Sequence, residues 1–357
     1  MKRKAIVLWI LGIASLLIAC TDTQKQEQEA DESEKITPLV KDNDSIRIGF
    51  SMDTLLEERW LKDRDLFKEA VESLGAEVEI VAANGDDALQ ISQAEALIRS
   101  GIDLLVIVPH NAEATAAIVH KAHLAGIQVI AYDRLVKNAN LDLYVSFDNE
   151  QVGEMQAKAI TSIVPKGNYV FIGGAITDNN AHLLKKGVFN VLRPYIERGD
   201  INIIYDQWTK DWTPANAKAN MEEAIQTSNG KIDAVIAAND ATAGGVIEAL
   251  AAQGFAGNVP VAGQDADLAG VQRIVNGEQT MTVYKPIQML TQEVAKIAVA
   301  MAKGEPVPTV KKVNNGKIEV PSVLLAPIAV NVRNIESTVI ADRFHSSEDI
   351  YKDTSYK

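Results

Sequence analysis

The stretch IQVIAYDRLVKNANLDLYVSFDNEQVG, residues 127–153, decides the fold. Its first half is an apolar run that ends abruptly at Asp133 and Arg134, as a buried parallel strand does when a binding group stands at its carboxyl end. Its second half, residues 141–147, alternates apolar and polar residues and then turns polar at Asp148. We interpret this half as the connection between two α/β lobes, and we expect a cleft between them.

The same rhythm of strand and helix continues on both sides of this stretch. The run DLLVIV at residues 103–108 predicts a buried parallel strand, and the apolar spacing over residues 87–99 predicts a helix. Because successive strands are separated by helices, we predict an α/β fold with parallel sheets. Residues 287–301 predict an amphipathic helix, which the periodicity alone assigns to neither lobe.

The composition is that of an ordinary globular protein. The chain has 357 residues, of which 47% are hydrophobic and 23% are charged, and this length is enough for two lobes with a core each. The formal net charge is −13. Without a basic patch in the sequence, this charge argues against a nucleic-acid partner.

The N-terminus predicts a targeting segment. Lys2-Arg3-Lys4 precedes the apolar residues 5–18, a run too short to span a membrane as a stable helix. The ending LIAC resembles the lipobox of bacterial lipoproteins, in which the cysteine is lipidated and the preceding peptide is removed. An ordinary signal peptide with a chance cysteine is the alternative, but Cys20 is the only cysteine of the chain. Residues 21–44 are polar and rich in Glu and Gln, and we interpret them as a flexible tether of roughly 25–30 Å.

Polar residues follow the predicted strands of both lobes. The sequence contains no glycine-rich nucleotide motif, so nucleotide binding has no support. Side chains that donate and accept hydrogen bonds suit a ligand covered with hydroxyl groups. Two tryptophans beside these strand ends could lie on the apolar face of a sugar ring. The candidates are Asp133, Arg134, Asp178, Asn180, Asn239, Asp265, Lys285, Trp60 and Trp212.

Several of these residues have a purely structural alternative. Asp133 and Arg134 could form a simple salt bridge, and Asp265 or Asn239 could be a helix cap. We interpret Trp208, which lies in the same loop as Trp212, as a packing residue rather than a ligand contact.

The histidines predict no metal site. His120 and His123 are spaced i, i+3, but no third ligand is near, so an exposed helix face is the better interpretation. We expect neither a metal nor a cofactor.

Seven segments of the chain resemble the D-xylose-binding proteins of bacterial ABC sugar importers, which are members of the type I periplasmic-binding-protein family. The resemblance covers about residues 45–345, and several segments distinguish xylose binders from ribose and galactose binders of the same fold. The segments are ERWLKDRD (58–65), AYDR (131–134), VSFDNEQVG (145–153), DNNA (178–181), NDATAGG (239–245), GQDADLAG (263–270) and TMTVYKP (280–286).

The resemblance implies two Rossmann-like lobes joined by a hinge of three crossovers, near residues 147–150, 285–286 and 317–321. The helix at residues 287–301 would then return to the first lobe. The implied divisions are a signal peptide (1–19), a lipidated Cys20 with its tether (20–44), a first lobe (45–148 and 286–316), a second lobe (149–285 and 317–345) and a polar tail (346–357).

The resemblance also implies the sugar contacts, and each position keeps the residue type of the family. Trp60 and Trp212 would sandwich the pyranose ring, and Lys285 would lie at the hinge. The implied contacts are Arg59, Trp60, Asp133 and Arg134 in the first lobe, and Asp178, Asn180, Trp212, Asn239 and Asp265 in the second. The lipid anchor and the tail depart from familiar members, which are free in the periplasm.

The implied function is that of a monomeric, lipid-anchored D-xylose-binding protein, without enzymatic activity, that delivers sugar to an ABC permease and its ATPase. A sugar sensor for a receptor kinase or chemoreceptor is the first alternative. A LacI-type regulator would need a DNA-binding headpiece before Ser45, where the signal peptide stands. An aldose-converting enzyme could use Asp133 and Asp265 as an acid–base pair, but no metal set or cofactor motif accompanies them.

Overall fold

The computed structural model describes residues 45–309 and 311–352. Within these ranges the chain forms two α/β lobes, each with a central sheet covered by helices on both faces, which confirms the predicted fold class. No helix in the described ranges is long and apolar enough to cross a membrane. The predicted signal peptide, Cys20 and the tether lie outside the described residues.

The first lobe is built on seven strands, numbered along the chain: β1 (Arg47–Met52), β2 (Glu77–Ala82), β3 (Leu104–Ile107), β4 (Gln128–Tyr132), β5 (Leu143–Phe147), β11 (Lys311–Asn314) and β12 (Glu319–Leu325). Their order is β11-β12-β5-β4-β3-β1-β2, and only the pair β11–β12 is antiparallel. Two helices cover each face: α1 (Glu58–Ser73) and α9 (Ile287–Ala302) on one, and α2 (Asp87–Arg99) and α3 (Ala116–Leu124) on the other.

The central strand β3 explains why the sequence there is apolar without alternation. Leu104 and Val106 pack into the core under α1 and α9, whereas Leu105 and Ile107 pack into the core under α2 and α3. Successive side chains of a strand point to opposite faces, and here both faces are covered by helices. The sheet therefore requires apolar residues at every position of this strand.

The second lobe contains a parallel four-stranded sheet in the order β7-β6-β8-β9, from β6 (Gly167–Ile172), β7 (Ile201–Gln207), β8 (Ala234–Ala237) and β9 (Val261–Ala262). Helices α4 (Asn149–Ile163) and α5 (Asn179–Glu197) cover one face, and α6 (Pro214–Ser228) and α7 (Asp240–Ala251) the other. Strands β10 (Thr282–Tyr284) and β13 (Ile328–Val330) pair antiparallel beside α8 (Leu268–Val275). Lys210–Trp212 form a 3₁₀ turn, and Glu336–Ile340 form a π-helical turn.

The third passage between the lobes differs from the expected position. The chain leaves the first lobe after β5 and returns at Lys285 and Pro286, but it leaves again only after Leu325 and not at residues 317–321. Strand β12 pairs in parallel with β5, so residues 317–325 belong to the first lobe. The position implied by the resemblance was therefore wrong, since Pro321 lies inside β12, opposite Lys312.

The end of the chain is also more ordered than a polar tail. Residues Ser347–Tyr351 form α10, and Ile350 is fully buried against α8 beside Val271 and Ile274. One apolar anchor among polar residues is enough to dock this short helix. The described part of the predicted tail is therefore part of the second lobe.

Two glycines set the distance between α4 and α5. A Cβ atom at Gly153 would lie 2.0 Å from the carbonyl oxygen of Leu184, and one at Gly187 would lie 2.0 Å from that of Glu150. These neighbours are helix backbone, which cannot move aside like the end of a flexible side chain. The helices therefore pack in van der Waals contact only because both positions lack a side chain.

We predict that Gly187→Ala lowers the free energy of unfolding by roughly 1–3 kcal/mol, because the added methyl group forces the helices apart. Urea unfolding followed by circular dichroism measures this change. Gly244→Ala in α7 is the matched control, since its Cβ would meet only the guanidinium of Arg273 at 3.3 Å. Equal stability of the two variants would contradict the close-packing explanation.

Candidate binding site between the lobes

The structure brings all ten predicted contact residues to one pocket between the lobes. Two further residues, Glu57 and Gln264, line it as well. The lining residues are Glu57, Arg59, Trp60, Asp133, Arg134, Asp178, Asn180, Trp212, Asn239, Gln264, Asp265 and Lys285. The carboxyl ends of β4, β6, β8 and β9 meet at this pocket, which is where ligands of open α/β sheets gather.

Arg59 joins carboxylates of both lobes. It stands in the first turn of α1, and its guanidinium lies 3.2 Å from Asp63, 3.0 Å from Asp133 and 3.2 Å from Asp265. Lys285 Nζ lies 3.9 Å from Asp133 and 3.7 Å from Asp265. All five side chains are buried. We call these five residues the Arg59 cluster.

The Arg59 cluster contains two cations and three carboxylates, so full ionisation leaves one surplus negative charge. Burial acts to raise the pKa of Asp133, but Arg59, Lys285 and Arg134 outweigh it and hold that pKa below its usual value. At Asp63 burial dominates over Arg59 and raises the pKa to about 6. Tyr132, which donates a hydrogen bond to Asp63, keeps this carboxyl in place.

Arg134 is also held from both lobes. Its Nη1 donates to Asp53 Oδ2 at 2.6 Å, and its Nε lies 2.9 Å from Asp178 Oδ2 in the second lobe. Burial raises the pKa of Asp178 despite the opposing charge of Arg134. Arg134 thus forms salt bridges, but its partners are Asp53 and Asp178. The alternative of a simple salt bridge with the adjacent Asp133 is wrong.

Two residues of the second lobe combine a cap with a place in the pocket. Asp178 caps α5 by accepting from the backbone of Asn180 at 2.8 Å, and Asn239 caps α7 in a reciprocal pair with Thr242. Asn180 also donates to Asp133 Oδ2 in the other lobe at 3.0 Å. The same residue can therefore cap a helix and line the pocket, because both helices begin at the pocket.

Asp265 is not a helix cap. Helix α8 begins at Leu268, and Asp265 instead faces Arg59. Both Asp133 and Asp265 have positive φ, at 59° and 89°. This conformation is uncommon for residues other than glycine and costs on the order of 1–3 kcal/mol. The chain turns sharply at these two strand ends, and both carboxylates meet at the same guanidinium.

The two tryptophans of the pocket are held in different ways. The guanidinium carbons of Arg59 and Arg134 lie 4.2 and 5.0 Å from the ring centre of Trp60, whose Nε1 donates to Glu57. Trp212 packs against Gly174, where a Cβ atom would lie 2.1 Å from the indole. Its Nε1 is buried without a hydrogen-bond partner among the described residues, so the indole retains a donor at the pocket.

Trp208 lies elsewhere, as the sequence predicted. Its ring centre lies 4.8 Å from that of His182, with the two planes tilted by 49°, and Lys185 Nζ lies 4.7 Å from the centre of the Trp208 ring. Among the described residues no group of His, Cys, Asp and Glu is arranged to hold a metal ion. His123, one of the two histidines spaced i, i+3, forms a hydrogen bond with Asp142 at 2.8 Å.

Sequence reasoning missed Glu57, Gln264 and Asp53. Asp53 follows β1 directly and Gln264 precedes Asp265, so the strand-end rule could have found both. The Gln264 Oε1 atom is buried, and no residue in the described part of the chain donates a hydrogen bond to it, which leaves an acceptor at the pocket. Glu57 follows no strand, and no comparable signal marks it.

Contacts outside the pocket also join the lobes. They include Ala112 N to Thr177 O at 3.0 Å, Leu268 N to Glu58 Oε2 at 2.9 Å, and Lys62 Nζ to Phe344 O at 2.8 Å. The lobes are therefore closed against each other.

The raised pKa of Asp63 predicts a pH dependence of stability. The folded protein binds this proton near pH 6, whereas the unfolded chain binds it near 3.8. The stabilisation that follows from this raised pKa is fully present below pH 3.8 and is lost as the pH rises through about 6. Asp63→Asn cannot ionise, so between about pH 4 and 7 it should lose less stability than the wild type does, by roughly 1–3 kcal/mol.

Urea unfolding at several pH values tests this expectation. Asp65→Asn is the control, because Asp65 is an exposed carboxylate on the same helix, and its pKa is lowered by a hydrogen bond from Arg64. The control should keep the wild-type slope between about pH 4 and 7. Parallel curves for wild type and Asp63→Asn would refute the assignment.

Comparison with known proteins identifies the class. A family model described as a periplasmic binding protein domain matches residues 48–306. The chain therefore belongs to the periplasmic binding protein family.

Its relatives include D-xylose-binding periplasmic proteins, which confirms the resemblance predicted from the sequence. The chain is 53% identical to that of Haemophilus influenzae over 306 residues, or 86% of this chain and 92% of the relative. It is 50% identical to that of Escherichia coli over 315 residues, or 88% of this chain and 96% of the relative.

Solved structures with the same fold contain sugars. A carbohydrate transporter solute-binding protein from Chloroflexus aurantiacus in complex with D-glucose matches with a TM-score of 0.80 and 32% identity, covering 86% of this chain and 98% of the other. A solute-binding protein of an ABC transporter from Clostridium phytofermentans with bound β-D-glucose matches with a TM-score of 0.80 and 30% identity, covering 85% and 99%.

Proposed function

We propose that this protein binds D-xylose between its lobes and is the substrate-binding component of an ABC sugar importer. One observation carries the proposal. Ten residues predicted as sugar contacts meet in a single pocket, in a chain 50–53% identical to D-xylose-binding proteins. The proposed output is delivery of the sugar to a membrane permease with its ATPase, and we expect the sugar to be released chemically unchanged.

The chemistry of the pocket suits a small polyol. A hydroxyl group both donates and accepts a hydrogen bond, and the pocket offers carboxylates, amides, a guanidinium and an ammonium group. Asp133 and Asp265 can each accept from neighbouring hydroxyls, while Arg134 and Lys285 can donate. In this proposal the indoles of Trp60 and Trp212 lie on the two apolar faces of the ring.

The size of a pentose makes such complete pairing necessary. Micromolar affinity corresponds to about −8.2 kcal/mol. Spread over about ten non-hydrogen atoms this is roughly −0.8 kcal/mol per atom, within the range of very small ligands. One unpaired buried polar group costs about 1–3 kcal/mol, so nearly every hydroxyl must find a partner.

Binding in this pocket requires the lobes to separate. The side chains of the two lobes bond to each other across it, through Arg59 with Asp265 and Asn180 with Asp133, and only about 20 Å³ remains free. That space holds about one water molecule. We infer that hinge opening at the three passages admits the sugar, whose hydroxyls then take over some of these bonds.

We predict that Trp212→Ala weakens D-xylose binding at least about tenfold, because an aromatic side chain buries roughly 150–250 Å² in such contacts. Isothermal titration calorimetry measures the affinity. Trp208→Ala is the matched control, since this tryptophan lies in the same loop but outside the pocket. It should bind xylose with nearly the wild-type affinity. Unchanged affinity in Trp212→Ala would remove this indole from the site.

We further propose that Cys20 carries a lipid anchor that holds the protein at a membrane of the cell envelope. The support is the sequence alone: a basic segment, an apolar run and the ending LIAC, followed by residues 21–44 as a tether. The residues involved lie outside those that the structure describes.

We predict that Cys20→Ala shifts the protein from the detergent phase to the aqueous phase in phase partitioning, because the lipid would be lost. Its affinity for xylose should stay unchanged, since residues 21–44 separate the cysteine from the folded lobes. The same partitioning of both forms would exclude the anchor, whatever the sugar affinity.

A further inference from the structure

A second cavity lies beside the pocket in the cleft between the lobes. Its volume is about 160 Å³, and its walls include Asp53, Thr54 and His110 from the first lobe and Thr177 and Asp211 from the second. We call it the side cavity. Glu57, Arg134 and Trp212 line both the pocket and the side cavity, so these three side chains form the partition between them.

Two of the three partition residues are fixed by other contacts. Arg134 is held by Asp53 and Asp178, and Trp212 is packed onto Gly174. Moving either of them would break a buried ion pair or a close packing contact. Both are also among the proposed sugar contacts.

Glu57 is the exception. It occupies the position before the first residue of α1, but its side chain makes no cap bond to the helix. Its carboxylate instead accepts a hydrogen bond from Trp60 Nε1. The side chain is half-buried, and burial, opposed by Arg134, raises its pKa to about 7. Glu57 therefore fills the partition, and its carboxylate holds the neighbouring indole rather than capping the helix.

We propose that Glu57 sets the upper size limit of the ligand by closing the pocket on the side of the side cavity. The inference rests on the proposed sugar-binding function. In this view Glu57 excludes six-carbon pyranoses such as D-glucose, whose extra hydroxymethyl group needs space beyond the ring. Glu57 accepts a hydrogen bond from the indole nitrogen of Trp60. This bond fixes Glu57 relative to the indole that contacts the sugar ring.

The side cavity is large enough for that substituent. About 10–15 Å³ of such space holds one water molecule, so 160 Å³ holds several. A hydroxymethyl group adds only two non-hydrogen atoms. Once the carboxylate is removed, the group would enter space next to Thr54, His110 and Asp211, which offer hydrogen-bond partners for its hydroxyl.

Calorimetric titration of wild type, Glu57→Ala and Glu57→Gln with D-xylose and with D-glucose tests the proposal. Discrimination over one small group is typically about 10–200-fold. We expect Glu57→Ala to lower the ratio of xylose affinity to glucose affinity at least about tenfold. Glu57→Gln keeps the size of the side chain and an acceptor for Trp60, so it should keep most of the wild-type ratio.

Each other outcome decides a different question. A ratio unchanged by Glu57→Ala, or wild-type protein that binds glucose as tightly as xylose, would overturn the size limit. If Glu57→Ala binds neither sugar, Glu57→Asp decides, since it keeps the carboxylate but shortens the wall, and an unchanged ratio there would overturn the proposal. A wild-type protein that binds neither sugar would instead refute the proposed function.

Discussion

The Arg59 cluster is the interaction on which the closed arrangement of the lobes depends. A guanidinium at the first turn of a helix stands at the positive end of the helix dipole, which is the unfavourable end for a cation. Burial adds a desolvation cost of several kcal/mol per ion. Three carboxylates offset both costs, and one of them, Asp265, comes from the other lobe. Closure of the lobes therefore supplies Arg59 with a carboxylate from the second lobe, in addition to Asp63 and Asp133 of the first.

The pairing of charges also explains how the pocket treats an uncharged ligand. Polar groups of the first lobe are fixed by one another before a ligand arrives: Arg134 by Asp53, and Asp133 by Arg59. Groups that are already oriented lose little entropy when a hydroxyl binds them. Arg59, Lys285 and Arg134 lower the pKa of Asp133, so this carboxylate stays ionised where it faces the ligand, whereas burial raises the pKa of Asp63, which lies outside the pocket.

The strand-end rule predicted most of the pocket because parallel strands bring their carboxyl ends together wherever they lie in the sequence. Arg59 came from the resemblance, since it opens a helix. Glu57 could not be predicted, because its place depends on a cavity whose walls come from both lobes. The resemblance placed the third passage too early, at residues 317–321, because only the pairing of β12 with β5 shows that this segment stays in the first lobe. Local sequence patterns thus predicted which residues stand at the ends of strands. The place of Glu57 and of the third passage depends instead on packing between segments that are distant in the sequence.

Contacts outside the pocket influence affinity in a different way from contacts inside it. On α1, Glu58 accepts from Leu268 at 2.9 Å, and Lys62 donates to Phe344 at 2.8 Å while lying 3.9 Å from its ring centre. Such bonds contribute about 0.5–1.5 kcal/mol each. They favour closure by the same amount for every ligand, and a ligand shifts the equilibrium only by its difference in affinity for the two states. They can therefore raise affinity but cannot discriminate between sugars, so specificity must come from the pocket and its partition.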